Sequence, residues 1–547
     1  MKNNLLAALC CTTFFIACNP KVDVENPSAA SFGNPFLPLW EHIPDGEPYV
    51  FEDPDNPGHQ RVYLYGSHDN LVTAYCGRDQ VVWSAPVEDL SQWRYDGVIL
   101  VVDKNAAGDT IAPADVLYAP DVTLVTDSTG KKTYYLFPND QVGGRNGLVA
   151  KSDRPDGPFE VCNWSKDNPD ETDGVLRFDP AVFVDDDGRV YGYWGFERSY
   201  AAELDPETMA TVKPGTEVVE DMVSGRNQEG IFSFFEASSI RKIKDKYIFI
   251  YSRFTKDGEY GLPVSNYTLA YAYSDHPLGP WTYGGTIIDG RARDVNEQGD
   301  TIATATIDGN THGSICEING QWYVFYHRQT GLDEYSRQAM VAPIEVKVGG
   351  GDCKSPETGG KVEISEGEYT SEGFALGGLD PFRRYPAGIA CWYTGPKVAE
   401  HHWPNNTFYG SYVEAVRYED AQFRENPYDL ALNWSPVVNN TDGSIVGYKY
   451  FNFTEGTQRA QKLLLTIVPE GIDGTIEVMA DRPWASQGGM SLGKAAVKAD
   501  MAFNVSTELE IPLPALSELT GKHAIFLKFS SEVKEQSLCS LEFLMFQ

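Results

Sequence analysis

Short runs in which aromatic and aliphatic side chains alternate recur along the chain. Each run has the length and the β-branched and aromatic content of a strand, and turn-forming Gly, Pro, Asn or Asp residues flank it. The helical period is weak throughout. The pattern therefore predicts β-strands, and the five clearest are RVYLYG (61–66), KTYYLF (132–137), RVYGYW (189–194), KYIFIY (246–251) and QWYVFY (321–326).

A second element follows several of these runs and makes them part of a repeat. The segments SDRPDGPF (152–159) and SDHPLGPW (274–281) are near copies, and a looser copy spans 83–93. Similar all-β blocks in series predict a β-propeller with one block per blade. A β-sandwich with Tyr-rich strands is the alternative, but the shared second element favours a propeller of five blades.

The pattern changes after residue 345, where a charged, Gly-rich stretch indicates a domain boundary. Short strands separated by turns follow, which is typical of a β-sandwich. The predicted fold is therefore all-β: a five-bladed β-propeller at 33–345, followed by a jelly-roll-like β-sandwich at 346–547. Three tryptophans of the second domain either bind sugar or form the interface with the propeller, and they are Trp392, Trp403 and Trp434.

The first residues have the pattern of an export signal. One Lys precedes an apolar stretch that is too short for a stable membrane anchor, so residues 1–18 are predicted to be a signal peptide. The signal ends in a small residue followed by Cys18, which resembles a bacterial lipobox whose Cys is lipidated. An ordinary secretory signal is the alternative. Residues 19–32 are polar and predict a tether, so we expect a lipid-anchored protein of the bacterial cell envelope, in the periplasm or on the outer-membrane surface.

Composition narrows the classes of partner. The net charge is −34, with 44 Lys and Arg against 78 Asp and Glu. Such a chain has no stripe of basic residues that could bind phosphates, which argues against binding of nucleic acid. Its negative charge also argues against attraction to anionic lipid head groups. We therefore expect contact with a membrane through the N-terminal lipid only. The nine cysteines are too sparse for a disulfide framework and show no zinc-ligand spacing.

Three acidic residues stand where the innermost strands of three blades would begin. Asp45, Asp179 and Glu236 each have apolar or turn-forming neighbours. Because burial of an unpaired carboxylate is costly, an acidic residue in such a context usually has a function. Alternatives remain open: Asp45 and Asp179 could stabilise plain turns, and Glu47 could be the important acid in place of Asp45.

These positions belong to a set of motifs that resembles glycoside hydrolase family 43. The motifs, in chain order, are PDGEP (44–48), YLYGSHD (63–69), YAPD (118–121), FDPAVFVDDDG (178–188), FEA (235–237), THGS (311–314) and WYVFYHR (322–328). The resemblance implies a five-bladed propeller enzyme that cuts polysaccharides containing arabinose and xylose. From about residue 446 the chain resembles carbohydrate-binding module family 6, through GYKYFNF (447–453), GTIEVMADRP (474–483) and the closing strands.

The resemblance to family 43 also implies the roles of site residues. Asp45 would be the general base, Glu236 the general acid, and Asp179 a carboxylate that raises the pKa of the acid. Family members invert the anomeric centre and require no cofactor. The family often binds calcium at the residue that matches His312. The alternative is that His312 is a hydrogen-bonded histidine of the core. Substrate contacts are expected from His68, Trp83, Tyr118, Asp121 and Arg337, although Trp83 could be core and Arg337 could form a salt bridge between blades.

The expected activity is therefore that of an inverting, exo-acting glycoside hydrolase on plant cell-wall polysaccharides or oligosaccharides. We expect it to remove arabinofuranosyl or xylosyl residues, with α-L-arabinofuranosidase as the main expectation. The alternatives within the family are β-xylosidase, arabinanase and exo-galactanase. A further alternative is a glycan-binding surface lipoprotein without catalysis, which the presence of all three carboxylates argues against.

Overall fold

A computed structural model describes residues 33–71, 73–141, 143–349, 360–416, 434–454 and 460–547. The predicted signal peptide, the tether and Cys18 lie outside the described residues. Within the described part of the chain, helices are confined to short 3-10 turns, at Gly143–Arg145, Glu259–Gly261, Ala387–Ile389, Ala485–Gln487 and Pro514–Glu518. None of the described segments forms a helix long and apolar enough to cross a membrane.

The first two sheets are four-stranded and antiparallel, with their strands in chain order. Blade one contains β1 (Glu47–Glu52), β2 (Gln60–Tyr65), β3 (Gln80–Pro86) and β4 (Arg94–Leu100). Blade two contains β5 (Leu117–Thr126), β6 (Lys132–Asp140), β7 (Ala150–Ser152) and β8 (Glu160–Val161). The predicted aromatic runs at 61–66 and 132–137 therefore lie on the second strand of each blade.

The next two blades repeat this arrangement. Blade three contains β9 (Ala181–Val184), β10 (Val190–Trp194), β11 (Tyr200–Leu204) and β12 (Val219–Glu220). Blade four contains β13 (Phe234–Ile243), β14 (Lys246–Arg253), β15 (Thr268–Ser274) and β16 (Thr282–Asp289). Every residue of β14 is buried, so its side chains pack on both faces of the sheet, as expected for a strand between two neighbouring blades.

A hairpin of β17 (Arg293–Val295) and β18 (Thr301–Ala303) leads to the fifth blade. This blade has three strands, β19 (Ser314–Ile318), β20 (Gln321–Gln329) and β21 (Arg337–Ile344). The beginning of the described chain lies against its outer strand: the Asn34 Nδ2 donates to the Val341 carbonyl at 2.8 Å, and the Val341 N–H donates to the Asn34 Oδ1 at 3.0 Å. The first strands of successive blades contact each other, and β19 contacts β1, so the ring is closed.

The second domain consists mainly of two antiparallel sheets. It begins with the hairpin β22 (Val346–Val348) and β23 (Val362–Ile364). Its strands then follow as β24 (Tyr385–Pro386), β25 (Trp392–Thr394), β26 (Glu400–His402), β27 (Asn405–Thr407), β28 (Tyr412–Val413), β29 (Val437–Val438), β30 (Ile445–Asn452), β31 (Lys462–Pro469), β32 (Gly474–Ala480), β33 (Met490–Val497), β34 (Thr507–Pro512), β35 (Lys522–Ser531) and β36 (Cys539–Phe546).

The sheets of the second domain pair strands that are distant in sequence. One sheet has the order β28-β29-β36-β31-β34, with β24 also paired to β36, and the other has the order β25-β30-β35-β32-β33. Their buried faces supply a common core that includes Leu465, Ile476 and Leu527. The predicted all-β fold, a five-bladed propeller followed by a sandwich, is confirmed. The five cysteines for which the structure gives a state, Cys76, Cys162, Cys316, Cys391 and Cys539, are free thiols.

The two domains share one hydrophobic core. Side chains of blades four and five, such as Ile250 and Met340, belong to the same buried cluster as the sandwich residues. The buried Arg328 of β20 adds polar contacts, since its guanidinium donates to the carbonyls of Gly388 and Ala390. Because these contacts bury polar and apolar groups together, the second domain is fixed on the side of blades four and five.

An ion-pair cluster at this interface provides a test of its contribution to stability. Asp294 accepts from Lys449 at 3.2 Å and from Arg482 at 2.7 Å, and its side chain is only 13% exposed. We expect Asp294→Asn to lower the free energy of unfolding by about 1–2 kcal/mol, because two cations lose a partly buried carboxylate. Urea unfolding followed by tryptophan fluorescence measures this change.

The matched control is Asp473→Asn. Asp473 forms an exposed contact with Lys498 at 3.9 Å, within the second domain. Exposed pairs of this kind contribute about 0–1 kcal/mol, so the control is expected to unfold like the wild type. Equal stability of the two variants would contradict a stabilising role for the Asp294 cluster.

Candidate active site

A cavity of about 590 Å³ lies where the blades meet, and six of the predicted site residues line it. They come from all five blades, at or near the beginning of a strand, so that the propeller converts widely spaced positions into one site. Asp45 precedes β1, Asp179 precedes β9 and His312 precedes β19, whereas the other three lie within strands and are Tyr118, Glu236 and Arg337. The volume is in the range typical of small-molecule sites.

Asp45 is held by donors on both of its oxygens. The Ser67 hydroxyl donates to Oδ2 at 2.5 Å, and the Arg337 guanidinium approaches Oδ1 at 3.2 Å. Its backbone has a φ of 60°, a left-handed conformation that Asp tolerates better than most residues. Burial alone would raise the pKa of Asp45, but the charge of Arg337 and the other nearby donors hold it below its ordinary value. Asp45 is therefore ionised at neutral pH.

Arg337 is itself fixed by a second carboxylate. Its Nε and Nη2 donate to the two oxygens of Asp69, both at 2.8 Å, and its backbone N–H donates to Asp69 at 3.0 Å. The guanidinium also lies over the ring of Tyr75, 4.9 Å from the centroid. Arg337 therefore forms the salt bridge between blades that was the alternative to a substrate contact. Only 2% of its surface is exposed, although it still lines the cavity.

Asp179 has two neutral donors and no cationic partner among its described contacts. The Asn139 Nδ2 donates to Oδ1 at 2.8 Å, and the Ala237 N–H donates to Oδ2 at 3.2 Å. Burial, and then the negative charge of Asp45, raise the pKa of Asp179 to about 7. Its carboxyl group therefore exchanges a proton near neutral pH.

Glu236 lies on β13 where the register with β14 shifts twice, on either side of Glu236. Such bulges redirect side chains at functional sites. Burial is the largest cause that raises the pKa of Glu236 well above its ordinary value, and the charges of Asp179 and Asp45 follow. The sequence-based account named Asp179 as the cause, but the structure shows that burial contributes more. These surroundings therefore favour the protonated form of Glu236, as a general acid requires.

Two buried histidines lie beside these acids. The Nδ1 of His327 accepts the Asp45 backbone N–H at 3.2 Å, and its Nε2 lies 2.9 Å from the Asn310 carbonyl, which assigns the proton to Nε2. Burial lowers the pKa of both His327 and His312 to about 4, so both rings are neutral at neutral pH. His312 lies 3.7 Å from Asp179, and its ring nitrogens have no hydrogen-bond partner among the described residues.

The residues around His312 do not form a calcium cage. Calcium takes six to eight oxygen ligands, mostly carboxylates, carbonyls and water. The described residues contain no cluster of three or more His, Cys, Asp or Glu side chains that could hold a metal ion. His312 offers nitrogen, Asp179 lies 3.7 Å away, and the charge of Asp45 also acts on the ring. The described side chains near His312 therefore do not supply a calcium coordination shell by themselves, and the calcium site stays a prediction from the sequence.

Three predicted substrate contacts do not line the cavity. Trp83 is completely buried in the core between blades, and its Nε1 donates to Glu41 at 2.9 Å. His68 lies between Glu41 at 3.2 Å and Asp79 at 2.8 Å; burial alone would lower its pKa, but these carboxylates raise it to about 9. These two predictions were wrong, because Trp83 packs in the core between blades one and five and His68 is held between two carboxylates.

Asp121 and Glu47 belong to a separate buried network. Asp121 accepts the hydroxyl of Tyr49 at 2.6 Å and the Val182 N–H at 2.7 Å, so its prediction as a substrate contact was also wrong. Glu47 pairs with Arg241 at 2.7 Å and is 1% exposed. Since Glu47 is absent from the cavity lining, Asp45 is the acidic residue of its motif that lies in the site.

Several cavity residues were not found from the sequence. Asn139 and Asn310 come from strand ends and loops that carry no recognisable motif, and Arg226, Glu334 and His401 also line the cavity. Asp69 does not line the cavity but holds Arg337, and its position at the end of the motif 63–69 could have indicated such a role. The position of His401, in the second domain, depends on long-range packing that no local pattern shows.

Comparison with known proteins shows the family of the chain. Residues 53–350 match Glycosyl hydrolases family 43. A xylosidase/arabinosidase from Thermoclostridium stercorarium is 34% identical over 539 residues, which cover 93% of this chain and 98% of that protein. An arabinoxylan arabinofuranohydrolase from Paenibacillus polymyxa is 26% identical, over 93% of this chain and 74% of that protein.

A glycoside hydrolase family 43 arabinoxylan arabinofuranohydrolase from Bacillus subtilis, solved with cellotetraose, covers 95% of this chain and 99% of that chain, at 20% identity and a TM-score of 0.42. The family match over the propeller and the relative that is similar over nearly the whole chain confirm the predicted family. The chain belongs to glycosyl hydrolases family 43.

Proposed function

We propose that the protein is an inverting, exo-acting glycosidase that removes arabinofuranosyl or xylosyl residues from plant polysaccharides or oligosaccharides. The observation that carries the proposal is the contrast in protonation between two carboxyl groups of one cavity. Asp45 is ionised beside Arg337, whereas the surroundings of the partly buried Glu236 raise its pKa well above the ordinary value and favour its protonated form. Inverting glycosidases need such a pair, one group as base and one as acid.

The proposed reaction moves two protons and one sugar. Glu236 donates its proton to the glycosidic oxygen as the bond from the anomeric carbon to that oxygen breaks. Asp45 takes a proton from a water molecule, whose oxygen forms the new bond to the anomeric carbon from the opposite face. The sugar leaves with inverted configuration, and a proton returns from Asp45 to Glu236 through solvent.

Asp179 is proposed to tune the acid. Its negative charge, when present, opposes ionisation of Glu236. Its own pKa of about 7 lets it hold a proton for part of the time, which reduces that effect. The Asn139 and Ala237 donors fix the position of its carboxyl group.

The substrate class is supported by relatives. The Thermoclostridium stercorarium relative carries both xylosidase and arabinosidase in its name, and the Paenibacillus polymyxa relative is named for arabinoxylan. We therefore propose α-L-arabinofuranosidase as the main activity and β-xylosidase as the second candidate. The cell-envelope location and the lipid anchor at Cys18, like a calcium ion at His312, stay predictions from the sequence.

Replacement of the acid tests the proposed function. Wild type is expected to hydrolyse aryl α-L-arabinofuranoside or aryl β-xyloside and to release the same sugar from arabinoxylan. Glu236→Gln is expected to lose about 10²–10⁴-fold in rate on arabinoxylan, because the unactivated leaving group needs a proton. The loss on the aryl glycoside is expected to be smaller. Released sugar is measured by chromatography.

The matched control is Glu317→Gln, which changes an exposed glutamate on β19. It is expected to retain wild-type rates. The proposal fails if wild type releases no sugar from any of these substrates, or if Glu236→Gln is as fast as wild type on arabinoxylan. Proton NMR of the first product anomer tests inversion separately.

Replacement of the base has a different signature. Asp45→Asn keeps the size of the side chain and its contact with Ser67, but it cannot take a proton from water. We expect a fall of about 10²–10⁴-fold in kcat on aryl glycosides and on arabinoxylan alike, because water activation does not depend on the leaving group. Rates on both substrates measure this, and a loss confined to arabinoxylan would contradict the assignment of the base.

Asp179→Asn tests the tuning role through pH. Removal of a like charge near Glu236 lowers the pKa of the acid, so the acid loses its proton at a lower pH. The alkaline limb of the profile of kcat/KM against pH is therefore expected to move to lower pH. The acidic limb, which reports protonation of Asp45, is expected to change little. An alkaline limb that stays in place or moves to higher pH would contradict this role.

A further inference from the structure

A hairpin of the second domain reaches the propeller cavity. This hairpin, β26 and β27 with the two residues between them, spans 400–407 and lies against the loop before β21. The Asn406 N–H donates to the Leu332 carbonyl at 2.9 Å, and Asn405 forms a β-bridge with Asp333. The two domains are therefore joined by backbone pairing at the edge of the active site.

Side chains fix the hairpin more tightly. The Nε2 of His401 lies 3.1 Å from Oε1 of the buried Glu334, and its Nδ1 lies 3.0 Å from Asn406. Glu334 also accepts the hydroxyl of Tyr75, from the loop between β2 and β3. A carboxylate of blade five thus connects the hairpin with blade one, and the hairpin has a defined position at the cavity.

Trp403, in the turn of the hairpin, lines the cavity although 68% of its surface is exposed. Its only polar atom is used, because Nε1 donates to the Tyr75 hydroxyl at 3.2 Å. The ring therefore has a fixed attachment and an open apolar surface. A large exposed aromatic side chain of this kind, at the mouth of a cavity, indicates a binding surface.

We propose that Trp403 forms a subsite for a pyranose ring of the polysaccharide backbone, on the leaving-group side of the cleaved bond. This proposal rests on the proposed function. The carboxylates that act on the cleaved sugar are Asp45 and Glu236, and Asp45 is 6% exposed, so that sugar occupies the inner part of the cavity. The rest of the substrate then extends to the exposed rim, where Trp403 presents its ring to the apolar face of a sugar.

The subsite requires both domains. The propeller supplies the acid and the base, whereas the second domain supplies the aromatic surface, and the contacts of His401 and Asn406 keep the two in register. The second domain therefore contributes to substrate choice at the catalytic cavity itself. It favours substrates whose leaving group is a sugar over those whose leaving group is small.

Trp403→Ala separates the subsite from the chemistry. On an arabinose-substituted xylo-oligosaccharide we expect kcat/KM to fall roughly tenfold, mostly through KM, because a stacking surface is lost. On 4-nitrophenyl α-L-arabinofuranoside, which has no backbone sugar, we expect a change of less than about twofold. Trp403→Phe keeps an aromatic surface without the N–H donor, and we expect its kcat/KM on the oligosaccharide to stay within about threefold of wild type.

The matched control is Phe503→Ala, because Phe503 is 67% exposed, lies in the second domain and does not line the cavity. It is expected to behave as wild type on both substrates, and Trp403→Ala is expected to unfold at the same temperature as this control. Equal losses of Trp403→Ala on the two substrates, no loss on either, or a Trp403→Phe variant as poor as Trp403→Ala would each overturn the subsite.

Calorimetry keeps this result separate from the proposed function. The same oligosaccharide is titrated into Glu236→Gln protein and into the Glu236→Gln, Trp403→Ala double variant. Weaker binding by the double variant supports the subsite, and equal binding overturns it, whatever the rate of turnover. A wild type that binds the oligosaccharide but cleaves neither substrate overturns the proposed function alone.

Discussion

The buried guanidinium of Arg337 sets the charge balance of the cavity. It pairs with both oxygens of Asp69 and still reaches Asp45, so one cation stabilises two carboxylates in a region of low exposure. A desolvated carboxylate without such a partner is less stable in its ionised form, and the pKa values of Asp179 and Glu236 are raised accordingly. The difference between base and acid therefore follows from which carboxyl group the guanidinium touches. Since Arg337 begins the last blade strand and Asp45 precedes the first, this contact also joins the two ends of the propeller ring.

The backbone near the site is strained to place these groups. Asp45, Asp179 and Ala237 have φ values of 60°, 48° and 68°, in the left-handed region that side chains usually avoid. Asp179 accepts the N–H of Ala237, so the strained turn after the acid carries a donor for its neighbour. Inner strands of the blades, such as β14, are fully buried, and their packing maintains this conformation. The packed propeller therefore holds a few unfavourable backbone torsion angles at the positions of the site residues.

The fold and the three acids followed from local patterns, because each aromatic run and each acidic residue belongs to a repeated unit. Local patterns did not predict in which direction each side chain of a motif points. Tyr118 and Asp121 lie in one motif, yet Tyr118 lines the cavity and Asp121 accepts from Tyr49 in another network. Asp121 points to the neighbouring blades, because it accepts the hydroxyl of Tyr49 in blade one and the N–H of Val182 in blade three. Such contacts between blades are not encoded in a single motif, and the error over Trp83 has a similar origin, since a strand between two blades is buried on both faces.

Contacts between the two domains are even harder to predict from local sequence patterns. The sequence did not distinguish among Trp392, Trp403 and Trp434, each of which could bind sugar or lie at the interface with the propeller. The structure separates two of them: Trp392 is completely buried in the sandwich, whereas Trp403 is exposed beside the cavity. This difference arises because Glu334, buried in blade five, holds the hairpin through His401. The contact between Glu334 and His401 requires desolvation of a carboxylate. It fixes the position of the Trp403 ring relative to Asp45 and Glu236. In this protein the second domain is therefore part of the wall of the site as well as a neighbour of the propeller.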